Sequence, residues 1–198
     1  MSYHIYHTRG IILESQHAGE SNRSYKIFTE ELGLIYGTAQ SVREEKSKLR
    51  YALQDFSFVT VDLIRGKEVW RILSAGEWRP LEIIKKNPTQ LKLFASYCAL
   101  ILRLIHGEGR DQSLFCDILM VADFLEKETV ACLNKSIRLS FKTLRALRAL
   151  VHLGYIDPKG YEKFLALSEY STDILEEFEE IRSSVLSKIN EALRVSHL

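Results

Sequence analysis

The spacing of apolar residues changes once along the chain, near residue 90, and that change restricts the fold more than any motif does. Before it, short β-type segments alternate with turn residues. One begins near Tyr6 and runs through Ile11, Ile12 and Leu13. A second, Ser-Tyr-Lys-Ile-Phe-Thr, follows the turn-like Gly19-Glu20-Ser21-Asn22, and a third starts at Leu34 after Gly33. Residues 56–64 are rich in β-branched and aromatic types, and Arg65-Gly66-Lys67 turns them into Val69-Trp70-Arg71-Ile72-Leu73, which predicts a hairpin. Five strands in about 75 residues predict a small β-barrel.

Residues 76–90 carry two of the three prolines, Pro80 and Pro88, and read as a connection. Beyond them apolar residues recur at helical spacing, predicting helices over 88–106, 111–127 and 130–153, the last ending at Gly154. A short element near Tyr161 precedes a long final helix, on which Ile174, Phe178, Ile181, Val185, Ile189 and Leu193 form one stripe. Runs of strands followed by runs of helices predict an α+β chain, with a five-stranded barrel over residues 1–80 and an all-α domain over 88–198.

Composition removes several classes. With 46% hydrophobic residues and 27 basic against 26 acidic side chains, the 198-residue chain can bury a core and is not disordered. The most apolar segment, residues 91–105, is interrupted by Lys92 and Arg103, so no membrane span is expected. Three cysteines, Cys98, Cys116 and Cys132, lie 18 and 16 residues apart without a CxxC pair, as expected of reduced thiols in a cytoplasmic protein. The six histidines are scattered, and HExxH, GxSxG, Walker A and GxGxxG patterns are absent. Neither an enzyme, a cofactor nor a metal site is expected.

Charge placement says more than the total. The segment SVREEKSKLR sets Arg43, Lys46, Lys48 and Arg50 between two predicted strands, next to Tyr51. Such a connection can align cations and a ring along one groove of a small barrel, where the phosphates and bases of a single strand bind. Glu44 and Glu45 among the cations leave open a solvated, partly self-neutralised loop. Arg9, Lys26, Lys67 and Arg71 are secondary candidates. On the third predicted helix Lys135, Arg138, Lys142, Arg145 and Arg148 recur every three or four residues, with no acidic residue from Thr129 to Ile156. That spacing predicts a basic ridge for a second DNA strand or an acidic protein tail. The acidic run from Glu169 to Glu180 offers internal neutralisation instead.

The order of several short pieces resembles the N-terminal domain of RecO-type recombination mediators. Gly19-Glu20-Ser21 matches that family's Gly-Glu-Ser turn, and Ile27-Phe28-Thr29 with Gly33 matches its Ile-Phe-Thr strand before a Gly turn. Lys46-Ser47-Lys48-Leu49 matches a basic element, and Leu53-Gln54 with Phe56 a Leu-Gln-x-Phe. Further on, Leu153-Gly154-Tyr155 resembles a helix end of the same family. The resemblance implies an OB-fold that binds single- and double-stranded DNA and anneals strands. It further implies work with RecR and the C-terminal tail of single-strand-binding protein to load RecA, in the bacterial cytoplasm at the nucleoid. The alternative is a protein-interaction scaffold whose OB fold has lost DNA binding. Two departures stand out. No four-cysteine zinc element follows Leu153-Gly154-Tyr155, and Asp55 stands where the family often has proline. The chain is also short for the family.

Overall fold

The computed structural model describes residues 4–19, 21–42, 47, 49–128 and 133–196. Five strands, β1 (Ile5–His17), β2 (Arg23–Thr29), β3 (Gly33–Ala39), β4 (Phe58–Arg65) and β5 (Trp70–Arg79), close into a barrel in the order β1-β2-β3-β5-β4. All neighbours are antiparallel except β3 and β5, which pair in parallel at Gly37 with Trp70 and Thr38 with Arg71. A short helix, α1 (Leu49–Ala52), connects β3 to β4. Five strands, this closure and the intervening helix are those of an OB fold. β1 is long enough to pair with β2 on one side and β4 on the other, and an irregularity between Ile12 and Glu14 bends it across the barrel.

Alternation fills the barrel. Ile12, Tyr25, Ile27, Ile35, Val59, Val61, Leu63, Trp70 and Ile72 point inward and are buried together. At roughly 25 cal/mol per Å² of apolar surface removed from water, burial of this set drives closure. β5 runs six residues beyond the Leu73 expected from sequence, because Ala75, Gly76, Glu77 and Arg79 continue to pair with β4. The connection read across residues 76–90 therefore begins only at Pro80.

The chain divides into two compact units, Met1–Pro80 with Ile105–Phe115, and Leu81–Leu104 with Cys116–Leu198. Helical spacing alone assigns residues 105–115 to the second half. They belong to the barrel unit, where Gly109 N donates to the Leu32 carbonyl at 3.1 Å and Phe115 packs on Phe28 with ring centroids 5.9 Å apart. Gly33 is required at that edge. Its φ is +71°, and a Cβ would lie 2.2 Å from the Gly109 carbonyl oxygen.

The second unit is helical: α2 (Glu82–Lys86), α3 (Pro88–Leu104), most of α4 (Gln112–Lys127), α5 (Lys135–His152), α6 (Glu162–Leu165), α7 (Thr172–Glu179) and α8 (Arg182–Val195). α5 starts on Asn134, whose side chain accepts from Ile137 N at 2.9 Å. It ends on Gly154 with φ +77°, where Tyr155 N reaches the Leu150 carbonyl and Gly154 N that of Val151, a paired C-terminal closure that only a left-handed residue permits. The single long final helix read from the stripe is two helices. The chain breaks around Glu180 and Ile181, so Leu175 and Phe178 are buried from α7 while Val185 and Ile189 are buried from α8. No helix is long and apolar enough to cross a membrane among the described residues.

Candidate nucleic-acid interface

The same alternation decides which side chains leave the barrel. Tyr25 and Ile27 of β2, Ile35 and Ala39 of β3, and Trp70 and Ile72 of β5 are core, so Lys26, Tyr36, Thr38 and Arg71 point out. The register sets Lys26 opposite Tyr36 and Thr38 opposite Arg71. Lysine, phenol ring and guanidinium thus follow one another over three adjacent strands, and the ring of Tyr36 is 50% exposed. One open cavity borders it and a second borders Arg71. The first, of about 280 Å³, is lined by Glu14, Lys26, Tyr36, Thr38 and Val69. The other, of about 430 Å³, is lined by Ile64, Arg65, Lys67 and Arg71 in the β4–β5 turn.

The cations differ in how free they are. Lys26 Nζ lies 2.6 Å from Glu14, and its hydrogen bond, together with that of Gln16, holds the Glu14 carboxyl below the usual carboxylate range. Arg65 stacks over Trp70 at 5.2 Å and pairs with Glu108 at 3.1 Å, while Trp70 Nε1 donates to the same carboxylate at 2.9 Å. Lys67 and Arg71 form no ion pair among the described residues.

The sequence candidates scatter. Arg43, Lys46 and Lys48 lie outside the described residues. Arg50 and Tyr51 sit on α1, Tyr51 76% exposed, and Arg50 lines a different cavity from Tyr36. Arg9 lies on the β1–β4 side, where it makes a two-pronged contact with Glu30 at 2.7 and 2.9 Å and stacks over Trp78 at 5.0 Å. Lys26 therefore remains opposite Tyr36, Arg71 opposite the neighbouring Thr38, and Lys67 beside Arg71 in the next cavity. Tyr36 itself was missed, although an aromatic residue flanked by alternating Ile35 and Gly37 in a strand signals an outward ring.

The basic ridge on α5 needs correction. Lys135 and Lys142 are exposed and Arg138 half-buried, but Arg145 and Arg148 are only 3% and 4% exposed. Arg148 Nε donates to Asp117 Oδ1 at 2.5 Å, and its Nη1 to the carbonyls of Phe164 and Leu165 at 3.0 and 2.8 Å. Arg145 donates to the Leu93 carbonyl and to Ser96 Oγ, both at 2.6 Å, and stacks on Tyr97 and Phe141. Burial pulls the Arg145 guanidinium down to about 10. Both arginines are structural because α5 packs on α3, α7 and α8 and turns their positions inward. Lys135, Arg138 and Lys142 make no ion pair among the described residues. The acidic run pairs elsewhere, Glu169 with Lys127, Glu177 with Lys163 and Glu179 with Arg182.

No group of three His, Cys, Asp or Glu side chains could hold a metal ion among the described residues. Comparison with known proteins complements this geometry. Residues 1–78 match the family described as Recombination protein O N terminal. Over that stretch the chain is similar to the RecO-type family. Its RecO-type likeness runs past the barrel. Over 129 residues it is 33% identical to the DNA repair protein RecO of Dehalococcoides mccartyi strain 195, covering 65% of this chain and 51% of that one. The protein of the same name from Clostridium novyi strain NT is 26% identical over 126 residues, 64% and 49% of the two chains. That of Rubrobacter xylanophilus is 28% identical over 123 residues, 62% and 49%. The matched region spans about half the length of these curated relatives.

Proposed function

We propose that this chain is a RecO-type protein that serves DNA repair as a recombination mediator, binding DNA and performing no bond chemistry. The observation that carries the reading is Tyr36, half-exposed between Lys26 and Arg71 on the outer face of an OB barrel. A base stacks on the ring while cations on either side neutralise the phosphates that flank it, an arrangement indifferent to sequence. Annealing follows from screening the repulsion between two strands. The exposed Lys135 and Lys142 of α5, with the half-buried Arg138, offer a place for a second strand or for the acidic C-terminal tail of single-strand-binding protein. RecR and, through it, RecA complete the proposed set of partners.

The test is fluorescence anisotropy of labelled single-stranded DNA at several salt concentrations, with and without single-strand-binding protein. Neutralising three phosphates through Lys26, Lys67 and Arg71 gives a log–log salt slope of about −0.7 × 3, or roughly −2. A slope of zero, or no binding at low salt, refutes the DNA reading and leaves a scaffold that bridges proteins. A pull-down with RecR and single-strand-binding protein then decides whether the exposed cations of α5 carry that role.

A further inference from the structure

A second basic cavity opens in the barrel unit, lined by none of the residues of the Tyr36 face. It measures about 280 Å³ and is lined by His17 at the end of β1, Arg23 at the start of β2, Val42 just after β3, and Arg50 on α1. His17 and Arg23 are direct partners across the β1–β2 ladder. The rim is fixed by Asn22, whose side chain accepts from Ser41 N at 3.2 Å and whose carbonyl accepts from Ala18 N at 3.1 Å. Among the described residues no carboxylate lines it. The nearby Asp55 accepts from Ser15 Oγ at 2.5 Å, and that same oxygen accepts from Arg23 Nη2 at 2.8 Å, so Asp55 and Ser15 position the arginine.

One donor of a lining residue is left over, and a second lies on a neighbouring residue. Arg23 Nε is buried and has no hydrogen-bond partner among the described residues, and neither has the hydroxyl of Tyr25. Tyr25 is 1% exposed and close enough to feel the charges of both Arg23 and Asp55. Buried N–H and O–H groups without an acceptor are rare, because each one loses water and gains nothing in return. Arg50 is exposed and makes no ion pair among the described residues. Two guanidiniums and an imidazole therefore face a small space with at least one unspent buried donor.

The geometry points to this cavity as a receptor for a phosphate monoester, the terminal phosphate of a nucleic-acid strand. This rests on the DNA reading above for the source of the ligand. A monoester carries close to two negative charges and three terminal oxygens, which matches two guanidiniums in charge and in number of donors; an internal diester carries one charge. Val42, 2% exposed, closes one wall. The volume lies at the lower edge of the roughly 300–1,000 Å³ of ligand pockets, enough for a phosphate and its sugar but not for a run of nucleotides. A strand end fits such a space, and a strand running through does not.

The experiment is competition of unlabelled oligonucleotides of one sequence, ending in 5′-phosphate, 3′-phosphate or hydroxyl at both ends, against a labelled strand. It is done on the full chain and on Arg50→Gln and Arg23→Gln. Arg50→Gln alters an exposed side chain and keeps the test open if Arg23→Gln does not fold. One phosphorylated end should compete about tenfold better than hydroxyl ends, the size expected of a new charge-assisted hydrogen-bonded contact, and both variants should reduce that ratio to near one. Equal competition by all three overturns the inference while leaving DNA binding intact. If no strand binds, the DNA reading fails, and a titration with inorganic phosphate followed at the Arg23 Nε–H NMR signal decides the cavity. An unmoved signal overturns phosphate binding there. A moved signal without preference for a phosphorylated end assigns the cavity to free phosphate and overturns the strand terminus.

Discussion

Replacing Asp117 by Asn should cost the helical unit several kcal/mol, although the two side chains have nearly the same shape. Asp117 is completely buried and accepts from Arg148 Nε at 2.5 Å, Tyr97 Oη at 2.6 Å and Tyr170 Oη at 3.4 Å. It is the carboxylate bonded to Arg148, while Arg145 is held on a carbonyl and a hydroxyl. Burial first, and then the Asp117 charge, push the phenols of Tyr97 and Tyr170 well above their usual range, so both stay neutral donors. Removing the charge leaves the Arg148 guanidinium in the interior without a countercharge, and breaking a buried pair in this way costs about 3–5 kcal/mol. With a urea m-value of ~2 kcal/mol per M, that moves the unfolding midpoint down by about 2 M. Both tryptophans, Trp70 and Trp78, lie in the barrel unit, so the assay for the helical unit is far-UV circular dichroism. Adding Arg148→Met to Asp117→Asn should restore most of the loss, since replacing a buried pair with apolar atoms is often neutral or better. A midpoint shift under 0.5 M (about 1 kcal/mol at the same m-value), or a double variant weaker than the single one, refutes the reasoning.

Tyr36→Ala should weaken single-strand binding by about 1–3 kcal/mol at unchanged salt slope, whereas Arg71→Ala should flatten the slope by about 0.7; anisotropy titrations separate the two. Gly33→Ala should destabilise the barrel by about 2 kcal/mol or more, because left-handed backbone strain adds to the overlap with Gly109, read from the tryptophan unfolding curve. Cys98 is fully buried and its thiol is pushed up to about 12 by burial, while Cys116 is exposed, so in a Cys132→Ser background a thiol reagent should label one site natively and two in denaturant. The Asp62 carboxyl is held below its usual range by the Ser74 hydroxyl and by His7. Its contribution is therefore present above about pH 4 and lost as the pH falls through the lowered value; Asp62→Asn should be less stable at neutral pH and flatter in acid, by tryptophan fluorescence.

The strand half was legible because an antiparallel barrel writes its inside and outside as alternation. Ile27 and Ile35 against Lys26 and Tyr36 show the pattern directly. β5 was cut short since Gly76 and Pro80 read as breakers, yet the ladder to Thr60, Val59 and Phe58 continues through the glycine. The failure on α5 has a different cause. A helical wheel counts arginine as solvent-facing, and the partner that draws Arg148 inside is 31 residues away in sequence. A hint existed in α4, where Asp117 sits among Leu114, Ile118 and Val121, all buried. A carboxylate inside an apolar face demands a buried cation. The segment 105–115 was unreadable for a related reason, since its role depends on Gly109 meeting Leu32 and Glu108 meeting Trp70, pairings with no local signature.

That returning segment completes contacts of the barrel unit from later in the chain. The chain passes between its two units three times, after Pro80, after Leu104 and after Phe115. During synthesis the barrel strands are all present once Arg79 has emerged, but the residues that seal the edge at Gly33 and hold Trp70 and Arg65 follow only after all of α3. A chain cut at Pro80 would hold all five strands of the barrel but would lack the partners of Leu32, Arg65 and Trp70. The barrel unit thus draws part of its edge from outside its own contiguous strands, from residues that follow the first long helix of the other unit.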